Sequence, residues 1–319
     1  MHLIRWSRPL HRRTDKVMRA FRLLLNLLSA SGRPRPETPG KMVRRDALKV
    51  LLSLAAGGAA LPFYARWVEP NWIQVQSLRI RIPGLDPAFH GMTVVHTSDL
   101  HLDGVWGTPE RLASWVERIQ ALRPDAVVVT GDWVTTTAGL KVLERAAPVL
   151  ARLRAPMGVF GVLGNHDHWA DPHAVRQALR AAGVRELKNE THVWEIGRAR
   201  LALVGLDDPW SRPPRWEEVA RLAPNGMPAI ILVHEPDFAD QVARLGRFSL
   251  QLSGHSHGGQ VKIPGVGAPF LPLHGQKYPE GLYRIGRMTL YTNRGLGMVP
   301  PRIRLFARPE ITHITLAAW

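Results

Sequence analysis

Cysteine is missing altogether from this chain of 319 residues. A disulfide framework, a thiolate nucleophile and a thiolate metal ligand are all excluded, so any bound metal has to be held by His, Asp, Glu or Asn. Such a donor set suits a hydrolytic centre better than a structural zinc knot. Acidic residues are scarce too: 26 Asp and Glu face 42 Lys and Arg, a formal net charge of +16. A surplus of that size first suggests a nucleic-acid binder. Its placement argues otherwise, because twelve of the cations lie in the first 45 residues, against only Asp15 and Glu37. The basic character belongs mainly to the leader, and nucleic acid is not expected as a partner. Internal repeats and low-complexity tracts are absent, which excludes solenoid and fibrous architectures. What remains is an ordinary apolar fraction on a chain long enough to build a packed core.

Residues 1–70 read as a leader. Lys16–Leu28 is a basic amphipathic stretch suited to lying on an anionic membrane surface, unless translation starts at Met42 and the stretch is only an extension. Arg44-Arg45, then Leu48-Lys49 and the apolar run Val50–Leu61, resemble a twin-arginine export signal. Ala47 stands where an aromatic is usual, and no clean A-x-A cleavage site follows. The run is short for a membrane span, and the competing reading is a short core helix. The expectation is a chain associated with the bacterial inner membrane through its leader, or exported across it, with a catalytic domain over residues 71–319.

From Asn71 onward the apolar pattern alternates between two periods. Gln74–Pro83 reads as a half-buried strand, and Met92–Thr97, Ala126–Thr130, Gly158–Leu163, Ile230–Val233 and Phe248–Leu252 as buried ones. Helix patterns cover Pro109–Leu122, Leu140–Leu153 and Pro172–Ala182. Further strands fall near His192–Glu195 and Leu201–Val204, and the tail from Gly281 is strand-rich. Strand–helix alternation giving way to paired strands predicts an α/β fold, a layered sandwich of two mixed sheets flanked by helices.

Five polar motifs each follow a predicted strand: Ser98-Asp99-Leu100-His101, Gly131-Asp132, Gly164-Asn165-His166-Asp167, His234-Glu235-Pro236 and Gly254-His255-Ser256-His257-Gly258-Gly259-Gln260. Loops at the carboxyl ends of strands can converge on one crevice. Each motif alone is weak, since a single His after a strand is more often a hydrogen-bonded core residue than a ligand. All five in order are a different matter, because Asp, His and Asn are costly to bury unless paired or metal-bound.

The order D-x-H, G-D, G-N-H-D, H, G-H-x-H resembles the calcineurin-like metallophosphoesterase superfamily. The G-H-S-H-G-G-Q variant and the tail Tyr291–Gly297, Pro301-Arg302 and Pro309–Ile311 resemble its YkuE/YaeI-type bacterial branch. The similarity runs from about Val75 to Leu316. It implies a hydrolase of phosphoric esters with two divalent metal ions (Mn, Zn or Fe). Asp132 would bridge the ions; Asp99, His101 and His257 would complete one, and Asn165, His234 and His255 the other. His166, adjacent to a ligand, is the candidate for a catalytic group that binds no metal, as general acid or transition-state stabiliser. The alternative is that it only hydrogen-bonds to a carboxylate.

Asp103, Asp167 and His168 read as residues orienting the ligands, or as surface groups. Asp208 and Arg294 are weak substrate-side candidates, with turn chemistry or a structural tail as the competing explanations. Trp106, Trp133, Trp169 and Trp210 follow active-site strands and could line a pocket, although core packing is the default for aromatics. The resemblance implies a phosphodiester or pyrophosphate substrate, lipid-linked in the manner of UDP-2,3-diacylglucosamine. Two readings compete with it: a membrane-attached phosphate-binding or scaffold protein without turnover, and a nuclease.

Overall fold

The computed structural model describes Gly58 and residues 60–318. The Lys16–Leu28 stretch, the Arg44-Arg45 pair and most of the Val50–Leu61 run lie outside the described residues. Among the described residues, no helix is long and apolar enough to cross a membrane.

Among the described residues, twelve strands form two six-stranded sheets. The first contains β1 (Gln74–Arg81), β2 (Thr93–Thr97), β3 (Ala126–Thr130), β4 (Val159–Val162), β5 (Arg185–Glu186) and the last strand, β12 (Glu310–Ala317). Its order is β1-β12-β2-β3-β4-β5, parallel except where β12 meets β2. The second contains β6 (Glu190–Ile196), β7 (Ala199–Gly205), β8 (Ala229–Leu232), β9 (Leu250–Ser253), β10 (Gly281–Ile285) and β11 (Met288–Thr292). Its order is β10-β11-β9-β8-β7-β6, with antiparallel hairpins at both edges of a parallel centre.

The period of two along each strand builds the layers. Val127 and Val129 face outward onto helices α1 (Pro109–Ala121), α2 (Thr137–Leu150) and α4 (Pro172–Ala181), which follow one another around the short α3 (Asn165–Ala170). Ala126 and Val128 face inward, against Leu201 and Leu203 of β7 and Ile230 and Leu232 of β8. Ala202, Val204, Ala229 and Ile231 point to the other side of the second sheet, where α5 (Trp216–Leu222) and α6 (Ala239–Arg244) pack. The result is helix, sheet, sheet, helix. α1 shows why such helices form where they do: Thr108 caps it through Arg111 N–H, Pro109 opens it, and Leu112, Trp115, Val116 and Ile119 repeat at helical spacing and are all buried.

Residues just ahead of β1 are tied into the same unit. The carboxylate of Glu69 is buried and accepts the backbone N–H groups of Phe306 (2.9 Å) and Ala307 (2.6 Å). Ala65 O accepts from Arg304 N at 2.9 Å.

Candidate metal centre

The carboxyl ends of β2, β3, β4, β8 and β9 all open on one side, and the loops that leave them carry the polar motifs. Asp99 and His101 follow β2, Asp132 follows β3, Asn165 opens α3 behind β4, His234 follows β8, and His255 and His257 follow β9. Asp99, His101, Asp132, His255 and His257 all have positive φ, between 47° and 70°. Non-glycine residues avoid that region, and clusters of them persist where the surroundings over-determine the backbone. Two glycines allow the loops to close. A Cβ on Gly164 would strike Asp132 Oδ1 and His234 Nε2, and one on Gly254 would strike Ser98 Oγ and Asp99 Oδ2.

The side chains gather in two triads, Asp99–His101–His257 and Asp132–His234–His255, all buried. His101 Nε2 lies 3.1 Å from His257 Nε2, and His257 Nε2 lies 3.3 Å from Asp99 Oδ1. Asp132 Oδ2 sits between the triads, 3.4 Å from His101 Nε2 and 3.2 Å from His234 Nε2. The segment from His255 to His257 turns, so His255 falls in the second triad and His257 in the first.

Outer hydrogen bonds select which ring nitrogen faces inward. His234 Nδ1 donates to Thr130 O (2.6 Å), leaving Nε2 toward Asp132. His255 Nε2 donates to Leu273 O (2.8 Å), leaving Nδ1 inward. Ligating imidazoles are ordinarily fixed in this way. Burial pushes His101 and His255 down to about 3, which keeps both imidazoles neutral with lone pairs available. Burial alone would raise the Asp132 carboxyl, but the imidazoles of His234, His166 and His101 hold it well below the usual range. Burial also pushes Asp99 up, to about 6, with the charge of Asp132 adding to the shift and His234 opposing it.

Divalent cations fit this donor set. Four imidazoles and two carboxylates converge without a lysine or arginine among them, and the buried His234 Nε2 and Asn165 Oδ1 have no hydrogen-bond partner. Left without a cation, Asn165 Oδ1 would carry a desolvation cost that no hydrogen bond offsets, and His234 Nε2 would have only the Asp132 carboxylate at 3.2 Å.

His166 lines the cleft beside this centre. Its backbone N–H donates to Asp132 Oδ1 (3.0 Å), and its Nδ1 donates to Thr135 O (2.8 Å), which leaves Nε2 uncommitted. Asp167 straps two ligand loops together, accepting Trp133 N–H and Val134 N–H on one oxygen and Gly164 N–H on the other. Asp103 folds its own loop, taking the N–H groups of Val105, Trp106 and Gly107 and pairing with Arg302. His168 Nε2 meets Asp207 Oδ1 at 2.8 Å.

Asp208 and Arg294 are not brought to the cleft. Asp208 is buried, accepts Ser211 N–H and shares a hydrogen bond with Glu235, whose carboxyl burial pushes well up. The guanidinium of Arg294 is engaged by Glu310 (2.8 Å) and Glu280 (3.5 Å). The tryptophans divide: Trp106 and Trp133 are fully buried, while Trp169, 57% exposed, and Trp210 line the cleft. The orienting carbonyls of Thr130, Thr135 and Leu273 have no signature in sequence, because any residue type supplies a backbone oxygen.

A double-sheet α/β sandwich with two His/Asp triads at its strand ends defines a metallophosphoesterase. The chain belongs to the calcineurin-like phosphoesterase family, whose family model matches residues 92–259. It is therefore a hydrolase of phosphoric esters, of a family that uses divalent metals. It is 34% identical over 282 residues to the uncharacterized metallophosphoesterase YkuE of Bacillus subtilis, covering 86% of this chain and 98% of that one. It is 29% identical to the phosphodiesterase YaeI of Escherichia coli, covering 79% and 92% of the two chains. Identity to the UDP-2,3-diacylglucosamine pyrophosphatase LpxG of Chlamydia trachomatis is 30%, over 78% and 90%.

Proposed function

We propose that the chain is a dinuclear-metal phosphodiesterase or pyrophosphatase for amphiphilic, lipid-linked substrates. The observation that carries this reading is the wall of the cleft. A cavity of about 440 Å³ opens on Asp132, Asn165, His255 and His257, and its sides are Trp169, Trp210, Phe270, Leu271, Val299 and neighbouring prolines. Among the described residues, no lysine or arginine lines it. A nuclease needs cations along the strand path, so the lining speaks against that reading. A dianionic monoester would also find no cation beyond the metals, whereas a diester or pyrophosphate attached to an apolar group meets an apolar surface. LpxG, a pyrophosphatase by name, supports the same choice.

In this reading Asp132 would be shared by the two ions; Asp99, His101 and His257 would hold one, and Asn165, His234 and His255 the other. Such a pair would supply charge neutralisation at the phosphoryl group and a water of lowered pKa. His166, anchored through Nδ1, presents Nε2 to the leaving oxygen and in its protonated form delivers a proton there. Mn, Zn and Fe are the metals this donor set suits. Every ligand position is filled, which favours turnover over a scaffold role.

The test compares a soluble aryl phosphodiester with the matching monoester, before and after chelation and with Mn²⁺ restored. Diester hydrolysis should disappear on chelation, return with metal and exceed monoester hydrolysis. Full activity in a verified metal-free sample would sink the two-metal reading, and preference for the monoester would sink the diester choice.

A further inference from the structure

Three connected segments, two of which reach the cleft, carry more exposed apolar surface than their chemistry as a soluble face explains. The hairpin from Lys262 to Ala268 holds Val266 at its tip, 76% exposed, and Phe270 just beyond it is 85% exposed. Its base is joined to the 299–309 loop through Lys262 N to Leu305 O and Leu305 N to Gln260 O, both 2.8 Å. The next residue, Phe306, is exposed and is tied by its backbone to Glu69 in the N-terminal turn. That turn exposes Phe63 (61%) and Trp67. One continuous backbone connection thus links apolar tips from the N-terminal turn to the mouth of the cleft, where Val261 and Phe270 are both wall and rim. Soluble surfaces seldom carry such a run without a partner.

We propose that this rim is a docking face for the surface of an anionic lipid bilayer, seated so that the cleft opens into the headgroup layer. Charge agrees with that partner. Across residues 60–73, 260–275 and 299–309 the only carboxylate is Glu69, buried on two backbone N–H groups. Lys262 and Arg302 are matched by Glu280 and Asp103 and Arg304 is buried, so the charge this face offers is that of the half-buried Arg66 and Arg308. Arg66 and Arg308 lie over Trp67 and Trp72, at 4.3 and 4.0 Å from the ring centroids. Arg–Trp pairs of this kind suit the bilayer interface, where ring and stem sit in the apolar boundary and the charge reaches the headgroups. The sequence leading into the face points the same way: Val50–Leu61 holds no charged residue, and it ends where the N-terminal turn begins. The face deepens the proposed function, since a lipid-linked substrate would enter the cleft without leaving the bilayer.

Because the chain has no cysteine, single labels report on single positions. Val266→Cys and Arg198→Cys, each carrying an environment-sensitive fluorophore in the full chain, are mixed with phosphatidylethanolamine–phosphatidylglycerol vesicles and with phosphatidylcholine vesicles. Arg198 is exposed in the β6–β7 turn, at the opposite end of the sheet from the cleft. The label at 266 should brighten, shift to the blue and be quenched by spin-labelled lipid on the anionic vesicles, and the label at 198 should not change. A 266 label that stays as wet as the 198 label on vesicle-bound protein means the leader alone holds the chain, and the docking face is overturned. Failure of the full chain to bind overturns it equally. Val266→Asp should cut turnover of a diester lipid embedded in vesicles by about tenfold, the scale of one lost Val burial, and leave the soluble aryl diester unaffected. Equal loss on both substrates also counts against the face. Insertion is read without turnover, so an inactive but inserting protein would sink the proposed function and leave the docking face standing.

Discussion

The left-handed backbone at Asp99, His101, Asp132, His255 and His257 costs of order 1–3 kcal/mol at each position in a generic protein. Five such positions around one buried crevice are retained because the side chains they aim converge on a common point. That convergence separates two kinds of residue, and substitution should separate them too. Asp132→Ala removes the carboxylate shared by both triads, so metal content by emission spectrometry and diesterase activity should fall together. His166→Ala leaves both triads intact and removes only the uncommitted Nε2, so metal should stay near the wild-type level while kcat drops ~10²–10⁴-fold. Equal metal loss in the two variants would make His166 a ligand and overturn its assigned role. At this scale the residue types were legible in sequence because Asp, His and Asn behind apolar runs are costly without a purpose. Their second partners were not, since Thr130 O, Thr135 O and Leu273 O are backbone atoms. The buried Arg304, donating to the carbonyls of Ala307, Arg294, Gly295 and Gly297, carries no local signature either.

At the scale of elements, α3 is too short to hold itself and depends on its neighbours. His168 on α3 meets Asp207, which also accepts from Arg176 on α4 at 3.0 Å, and Arg176 reaches Glu186 on β5 at 2.7 Å. Burial opposes the Asp207 charge, yet His168 and Arg176 hold its carboxyl below the usual value of 3.8; Glu186, on the other side of Arg176, is pushed up by burial. A carboxyl depressed by folding stabilises the fold above its unfolded pKa and loses that contribution as pH falls through the folded value. Asp207→Asn should therefore lower Tm at neutral pH, and the gap from wild type should close progressively below about pH 4. The same variant should slow diester turnover with metal retained, because α3 carries Asn165 and His166. A Tm gap that is constant from pH 7 to pH 3 would remove Asp207 ionisation from the account. α3 itself is hard to read in sequence, since Asn-His-Asp-His looks like a polar turn. α5 and α6 are likewise too short to display a helical period, whereas β3 and β8, buried on both faces, announce themselves as unbroken apolar runs. β12 is legible only as part of a strand-rich tail: its place between β1 and β2 rests on pairings such as Gln74 with Glu310, which no local pattern encodes.

At the scale of the whole molecule, the proposed docking face and the leader together set which side of a membrane the cleft would open on. A lipid-linked pyrophosphate of the UDP-diacylglucosamine type lies on the cytoplasmic side, while a twin-arginine signal would carry the catalytic unit outward and make an envelope phosphodiester the substrate. We propose the outward placement, from Arg44-Arg45, Leu48-Lys49 and the uncharged run behind them. Replacing both arginines by lysine preserves the charge and every contact that depends on charge alone. It removes the planar guanidinium, with its fixed fork of donors, which is what a receptor specific for arginine recognises. Fractionation of wild type and of Arg44→Lys/Arg45→Lys side by side should find wild type in the envelope and the variant in the cytoplasm. The retained variant should still be folded and should hydrolyse the aryl diester in a metal-dependent way, because the triads lie far along the chain from the signal. Equal export of both proteins would make the segment an ordinary charge-directed anchor. Equal retention inside would return the cytoplasmic pyrophosphate as the substrate that fits the cleft.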